Sequence, residues 1–175
     1  MTQLMQDLMN SPSLQSEEWV QRMKVLEQAR SWLGTPYRHR GAIKGAGVDC
    51  ARILIEVYGD AGLIEKFDPG RYARDWHLHR NEERYLETVE RFAGEAIRSG
   101  DTLVEWAAED YKPLMGDIVV WRVGRTFSHS AIVTEWPYAI HASAPARVVE
   151  EVQVYNTPVH KLGLPVRHYS LWRVE

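Results

Sequence analysis

Cysteine is nearly missing from this 175-residue chain: Cys50 is the only one. An internal disulfide is therefore excluded, and the fold does not depend on an oxidising compartment. Positive charge is not in excess either. With 21 Lys and Arg against 24 Asp and Glu, the formal net charge is -3 and the sequence pI is near 6.2. The arginines are scattered, so nucleic acid is not an expected partner. No apolar run approaches the length of a membrane span, which removes the membrane from the expected partners. Residues 1–7 lack a basic stretch and lead into polar residues 10–13, unlike a secretory signal. Synthesis in the cytoplasm is the expectation. Repeats, low-complexity tracts and linkers are also missing. A chain of 20.2 kDa with 45% hydrophobic residues and seven tryptophans has enough apolar material for one domain, residues 1–175.

What is present changes character along the chain. Ser16 with Glu17 and Glu18 reads as a helix start, and Trp19, Met23, Leu26, Arg30 and Leu33 recur at helical spacing until Gly34 and Pro36 stop them. A second helix is expected from Cys50 to Ala61, closed by Gly62, with Ile53, Leu54 and Val57 on its buried face. The stretch from Ile64 to Arg80 is irregular, and a third helix is expected with Asn81 as its cap and Tyr85, Leu86, Val89 and Phe92 inward. Beyond Gly100 come short β-branched or aromatic runs: 118–121, 130–134, 138–141, 148–154 and 169–174. Helices first and strands afterwards predict an α+β domain, with the Cys50 helix packed on a mostly antiparallel sheet of about five strands.

Cys50 follows a glycine-studded loop, residues 41–49, and opens an apolar helix. Unpaired amides and the helix dipole favour a thiolate there, which makes Cys50 a candidate nucleophile. An isolated cysteine is more often a small buried hydrophobe. A nucleophile needs a base, and the base needs a third group to hold its tautomer. Among seven histidines, His39, His77, His79, His160 and His168 read as solvated or locally bonded loop residues. His129 and His141 fall on adjacent predicted strands, where a sheet can aim them.

That placement carries a condition on register. In a hairpin, His129 and His141 stand directly opposite on one face only if the turn centres on Glu135, which puts Pro137 at the first position of the returning strand. A two-residue turn at Trp136 and Pro137 would set the histidines on opposite faces.

The order Gly34-Thr-Pro-Tyr37, Asp49-Cys50 at a helix start, Gly116-Asp117 before a strand, His129-Ser-Ala-Ile-Val and then His141 resembles the NlpC-type cysteine endopeptidases, papain-like enzymes of bacterial cell walls. The likeness covers roughly residues 20–145. Trp32 to His39, Lys44 to Cys50, Tyr72 and Asp75-Trp76 are also similar to the branch found in phage tails. This resemblance implies a papain-like core in which Cys50 attacks a carbonyl carbon, His129 pairs with the thiol and protonates the leaving amine, and His141 orients His129. It implies that Tyr37 and the Cys50 amide hold the oxyanion, and that Asp49 meets the free amine of a stem peptide. The implied substrate is the γ-D-glutamyl to meso-diaminopimelate bond of peptidoglycan. Phage tail proteins are the implied partners and a phage-like particle the implied destination. Such chemistry calls for no metal and no cofactor.

Two positions depart from the family pattern. A small hydroxyl residue and a glycine often follow the family's Asp-Cys, whereas this chain has Ala51 and Arg52. Arg52 is expected to obstruct a wall peptide or to bind a different carboxylate. The competing expectations are a cysteine amidase or acyltransferase acting elsewhere, and a tail-tip assembly or plug protein whose site has relaxed. Asp49 also fits a plain helix cap, and Gly116-Asp117 a plain marker of a strand start.

Overall fold

The computed structural model describes residues 17–100 and 111–172. Helix α1 spans Glu17–Ser31, two short strands β1 (Ala42–Ile43) and β2 (Gly47–Val48) form a ribbon, and α2 spans Cys50–Asp60. Then follow α3 (Trp76–His79), α4 (Arg84–Ala93) and β3 (Arg98–Gly100). The carboxy-terminal half contributes β4 (Ile118–Val123), β5 (Thr126–Glu135), β6 (Tyr138–Ser143), β7 (Val148–Gln153), α5 (Pro158–Lys161) and β8 (Val166–Tyr169). β3 to β8 form one sheet in the order β3-β8-β4-β5-β6-β7, with every pair antiparallel. The α+β expectation holds, with six strands where about five were expected.

Helix α2 is apolar along most of its length, with Ala51, Ile53, Leu54, Ile55, Val57 and Tyr58 buried. Ile53, Leu54 and Val57 are each no more than 1% exposed, and they pack with Ile118, Val120, Ile132 and Ile140 of the sheet. Each such burial is worth about 1.5–3 kcal/mol, enough to fix the helix that carries Cys50. The opposite face of the sheet is covered as well, by a second cluster containing Val119, Trp121, Val133 and Val166. β4 is therefore buried on both sides, which explains why residues 118–121 are a continuous apolar run and not an alternating one.

The loop into α2 is shaped by close backbone approach. A Cβ on Gly41 would lie 2.5 Å from the Gly47 carbonyl oxygen, so no larger residue fits where β1 and β2 fold together.

Three sequence expectations need correction. Asn81 does not cap α4, which starts at Arg84 with Glu83 in the cap position and no side-chain cap bond. The last strand is Val166–Tyr169, not 169–174; residues 173 and 174 lie outside those described, as does Ser16. β3 went unexpected because Arg98-Ser-Gly has no strand-like pattern; its pairing with β8 makes it a strand.

His168 is not a loop histidine. It is 4% exposed on β8 and joins a buried cluster around Asp117, itself 2% exposed. Asp117 Oδ1 accepts from Arg22 at 2.9 Å, while Oδ2 accepts from His168 Nε2 and the Leu114 amide, each at 2.8 Å. Arg22 also donates to Glu18, to the Met115 carbonyl and to Ser170, and stacks on Trp172. Tyr111 bonds the other nitrogen of His168. Gly116-Asp117 thus marks both a strand start and the ion pair that ties α1 to the sheet.

Candidate active site

Asp49 sets the position of Cys50. Its Oδ1 accepts the Arg52 amide at 3.0 Å, capping α2. Its Oδ2 accepts the Arg40 amide and the Tyr72 hydroxyl, each at 2.7 Å, with His39 Nδ1 3.7 Å away. At 1% exposure and with both oxygens occupied, this carboxylate is committed to the fold. Its position lets it line the cleft, but a substrate amine would have to displace Tyr72 to reach it.

The Cys50 thiol is half-buried and donates to the Ser128 carbonyl at 3.6 Å, one residue before His129. Burial, and then the Asp49 charge, push the thiol up to about 12. Tyr85 and the amides of Cys50 and Ala51 pull the other way, so the helix-start effect expected from sequence exists and is outweighed.

His129 and His141 do meet, by a route the sequence did not suggest. The turn is Trp136-Pro137, with a cis peptide, and Glu135 pairs with Tyr138. Continued unbroken, that register would place the histidines on opposite faces. A bulge at Thr134 shifts the ladder, so that Val133 pairs with Ala139 and Ile132 with Ile140. The shift restores the face, and the histidines become diagonal neighbours instead of direct partners. His129 Nε2 and His141 Nδ1 are 2.8 Å apart, with ring planes at 75°. The turn expected at Glu135 is thus corrected to Trp136-Pro137, and Pro137 belongs to the turn.

This bond uses Nε2 of His129 and leaves Nδ1 for the cleft. Burial, and then His141, hold His129 down to about 3, so its ring is neutral. His141 is also lowered by burial, opposed by Glu150, whose Oε1 is 3.4 Å from Nε2. That contact is too poorly aligned to be a hydrogen bond, and the buried Nε2 has no other partner among the described residues.

A cleft of about 1130 Å³ joins these groups: Tyr37, Asp49, Cys50, His129 and His141 all line it. Tyr37 is half-buried, and its hydroxyl is raised by burial and by Cys50 and Asp49, against Arg74. Arg52 is the exception. It does not itself line the cleft; it donates at 2.7 Å to Oδ1 of Asp68, which does. The carboxylate it binds is the chain's own.

Two tyrosines escaped the sequence reading as site residues. Tyr85, counted as core by its spacing, donates to the Cys50 carbonyl at 2.9 Å and meets the Ser130 hydroxyl at 2.6 Å. Tyr72 holds Asp49; the sequence marked it as part of the likeness to the phage-tail branch, with no role attached. Among the described residues, no group of three or more His, Cys, Asp or Glu could hold a metal ion, and no helix is long and apolar enough to cross a membrane.

No family model matches this chain, and no curated protein matches it in sequence. Solved structures do. NlpC1 from Trichomonas vaginalis superposes with a TM-score of 0.56 at 18% identity, over 85% of this chain and 42% of that one. The NlpC/p60 domain of the peptidoglycan hydrolase SagA gives 0.51 at 19% identity, over 85% of this chain and 97% of that one. The peptidoglycan hydrolase RipB from Mycobacterium tuberculosis gives 0.51 at 18%, over 93% and 71%. The chain spans less than half the length of NlpC1. Together these similarities show that the chain has the papain-like NlpC/P60 fold. They do not bear on the phage-tail branch.

Proposed function

We propose that this protein is a cysteine hydrolase of peptidoglycan, cutting a peptide or isopeptide bond of the stem peptide, with γ-D-glutamyl to diaminopimelate as the bond. The observation that carries this reading is the bond between His129 Nε2 and His141 Nδ1, made in the cleft that Cys50 also lines, with His129 Nδ1 not engaged in that bond. Likeness of fold to SagA and RipB, both peptidoglycan hydrolases, supports it.

In the reaction, Cys50 Sγ attacks the carbonyl carbon as its proton passes to His129 Nδ1. The Tyr37 hydroxyl and the Cys50 amide donate to the oxyanion. His129 then gives its proton to the departing amine, and water, deprotonated by His129, releases the acid from the thioester. His141 keeps His129 in the tautomer that this sequence of transfers requires. The test is digestion of purified wall fragments, followed by new amino termini: Cys50→Ser should lose at least about 100-fold in rate. Equal release by the two proteins would sink the mechanism.

One observation favours a second reading, a phage-tail assembly or plug protein with a relaxed site: the resting thiol and imidazole are both neutral. On that reading Cys50 reacts with iodoacetamide at neutral pH no faster than a free thiol. On the hydrolase reading it reacts faster, and His129→Ala removes the advantage.

A further inference from the structure

Beside the cleft lies a smaller pocket of about 520 Å³, whose lining includes Tyr37, Arg38, His39, Arg74 and Arg147. Tyr37, His39, Arg74, Ala144 and Pro145 line both cavities, so the two adjoin. Three arginines therefore line one small pocket beside the Cys50 site. They arrive from separate parts of the chain: Arg38 beside β2, Arg74 before α3, and Arg147 in the turn between β6 and β7.

Two of the three sit on tied backbone. The Arg38 amide donates to the Val48 carbonyl at 2.9 Å, and the Tyr37 amide donates to the Arg147 carbonyl at 2.9 Å. No described carboxylate pairs with Arg38, Arg74 or Arg147, although ion pairs are formed by Arg22, Arg30, Arg52, Arg80 and Arg167 elsewhere. Asp49, which lines the adjoining cleft, is sealed and saturated by its own donors. Gathering three like charges around a concavity is unfavourable unless an anion is placed among them, and guanidinium forks match a carboxylate in shape as well as charge. The Arg74 charge already reaches the Tyr37 hydroxyl at the boundary of the two cavities.

We infer that this pocket binds a carboxylate of the substrate peptide, so that the Tyr37 end of the cleft selects an anionic group and not a free amine. That this carboxylate belongs to a substrate rests on the hydrolase reading; the anion site does not. This inverts the preference that Asp49 was expected to confer, and the reason is physical. The Asp49 carboxylate is used up as a cap, while the smaller pocket is lined by three arginines and by no carboxylate among the described residues.

Because Cys50 is the sole cysteine, its alkylation reports on the pocket without any turnover. Rates are compared for anionic iodoacetate and neutral iodoacetamide, with N-acetylcysteine as the free thiol. The ratio of the two rates should exceed the free-thiol ratio by about threefold or more at low salt. It should return to that ratio in Arg38→Gln/Arg74→Gln/Arg147→Gln, three changes at exposed side chains. Arg74→Gln alone should go part of the way. A ratio that these variants leave unchanged overturns the proposal.

A second arm uses N-acetyl-L-alanyl-γ-D-glutamyl-diaminopimelate, which should protect Cys50 from iodoacetamide, whereas its fully amidated form should not. Protection by inorganic phosphate but not by the peptide overturns the carboxylate assignment. If wall digestion fails while the rate ratio stays high, the hydrolase reading falls and the anion pocket stands. Digestion with no charge bias removes the pocket alone.

Discussion

Two histidine-bearing polar groups sit on the same sheet and differ in how they are satisfied. At Asp117, both carboxylate oxygens, the Arg22 guanidinium and both nitrogens of His168 have partners inside the protein. At Cys50, His129 has one nitrogen bonded and one left toward a cleft, and His141 Nε2 lacks an aligned partner. A saturated buried network locks elements together, because each bond removed exposes an uncompensated charge. An unsaturated one beside a cavity keeps its capacity for a ligand or a reacting group. Composition does not separate the two groups; the count of unused donors and acceptors does.

Asp117→Ala attacks the contrast most severely. It strands Arg22 and His168 without their shared carboxylate and should cost about 3–5 kcal/mol, read as a lower urea midpoint. A loss under about 1 kcal/mol would mean that the cluster does not hold α1 to the sheet.

The pH dependence of stability should separate the two groups next. His129 takes up its proton near 6.5 when unfolded and near 3 when folded. Between those values the unfolded chain binds more protons, so the contribution is complete above about pH 6.5 and is lost as pH falls toward 3. Asp117 is held below its ordinary 3.8 by its bonds to His168 and Arg22, against burial, so its contribution is lost only on further acidification. His129→Gln should flatten urea midpoints between pH 6.5 and 4 and leave the decline below 3.8 in place. An unaltered slope above pH 4 would contradict the neutral, buried His129.

The smallest effect is expected at Arg52. Its partner Asp68 is well exposed, and Arg52 itself does not line the cleft that holds Cys50. Arg52→Gln should leave wall digestion within about twofold of wild type. A larger loss would return Arg52 to the substrate path.

Much of this was legible in the sequence because it is local. Ile53, Leu54 and Val57 follow one helical stripe, and Asp49 before Cys50 is a capping residue in a capping place. The α+β order and the choice of His129 and His141 needed only patterns of a few residues. What failed was contextual. Tyr85 has the spacing of a core residue and also a hydroxyl, and only the fold places that hydroxyl on the Cys50 carbonyl. Arg52 was judged by its neighbours in sequence, whereas Asp68 decides where it points. The thiol was judged by its helix, whereas burial and Asp49 set its protonation. Arg38, Arg74 and Arg147 are scattered along the chain and form a cluster only in space.

The bulge at Thr134 has a consequence for inheritance. The site is encoded partly as a number, since the count of residues between His129 and the turn decides which side of the sheet receives the imidazole. A descendant that lost a single residue there would keep Cys50, His129 and His141 letter for letter, and still have no site.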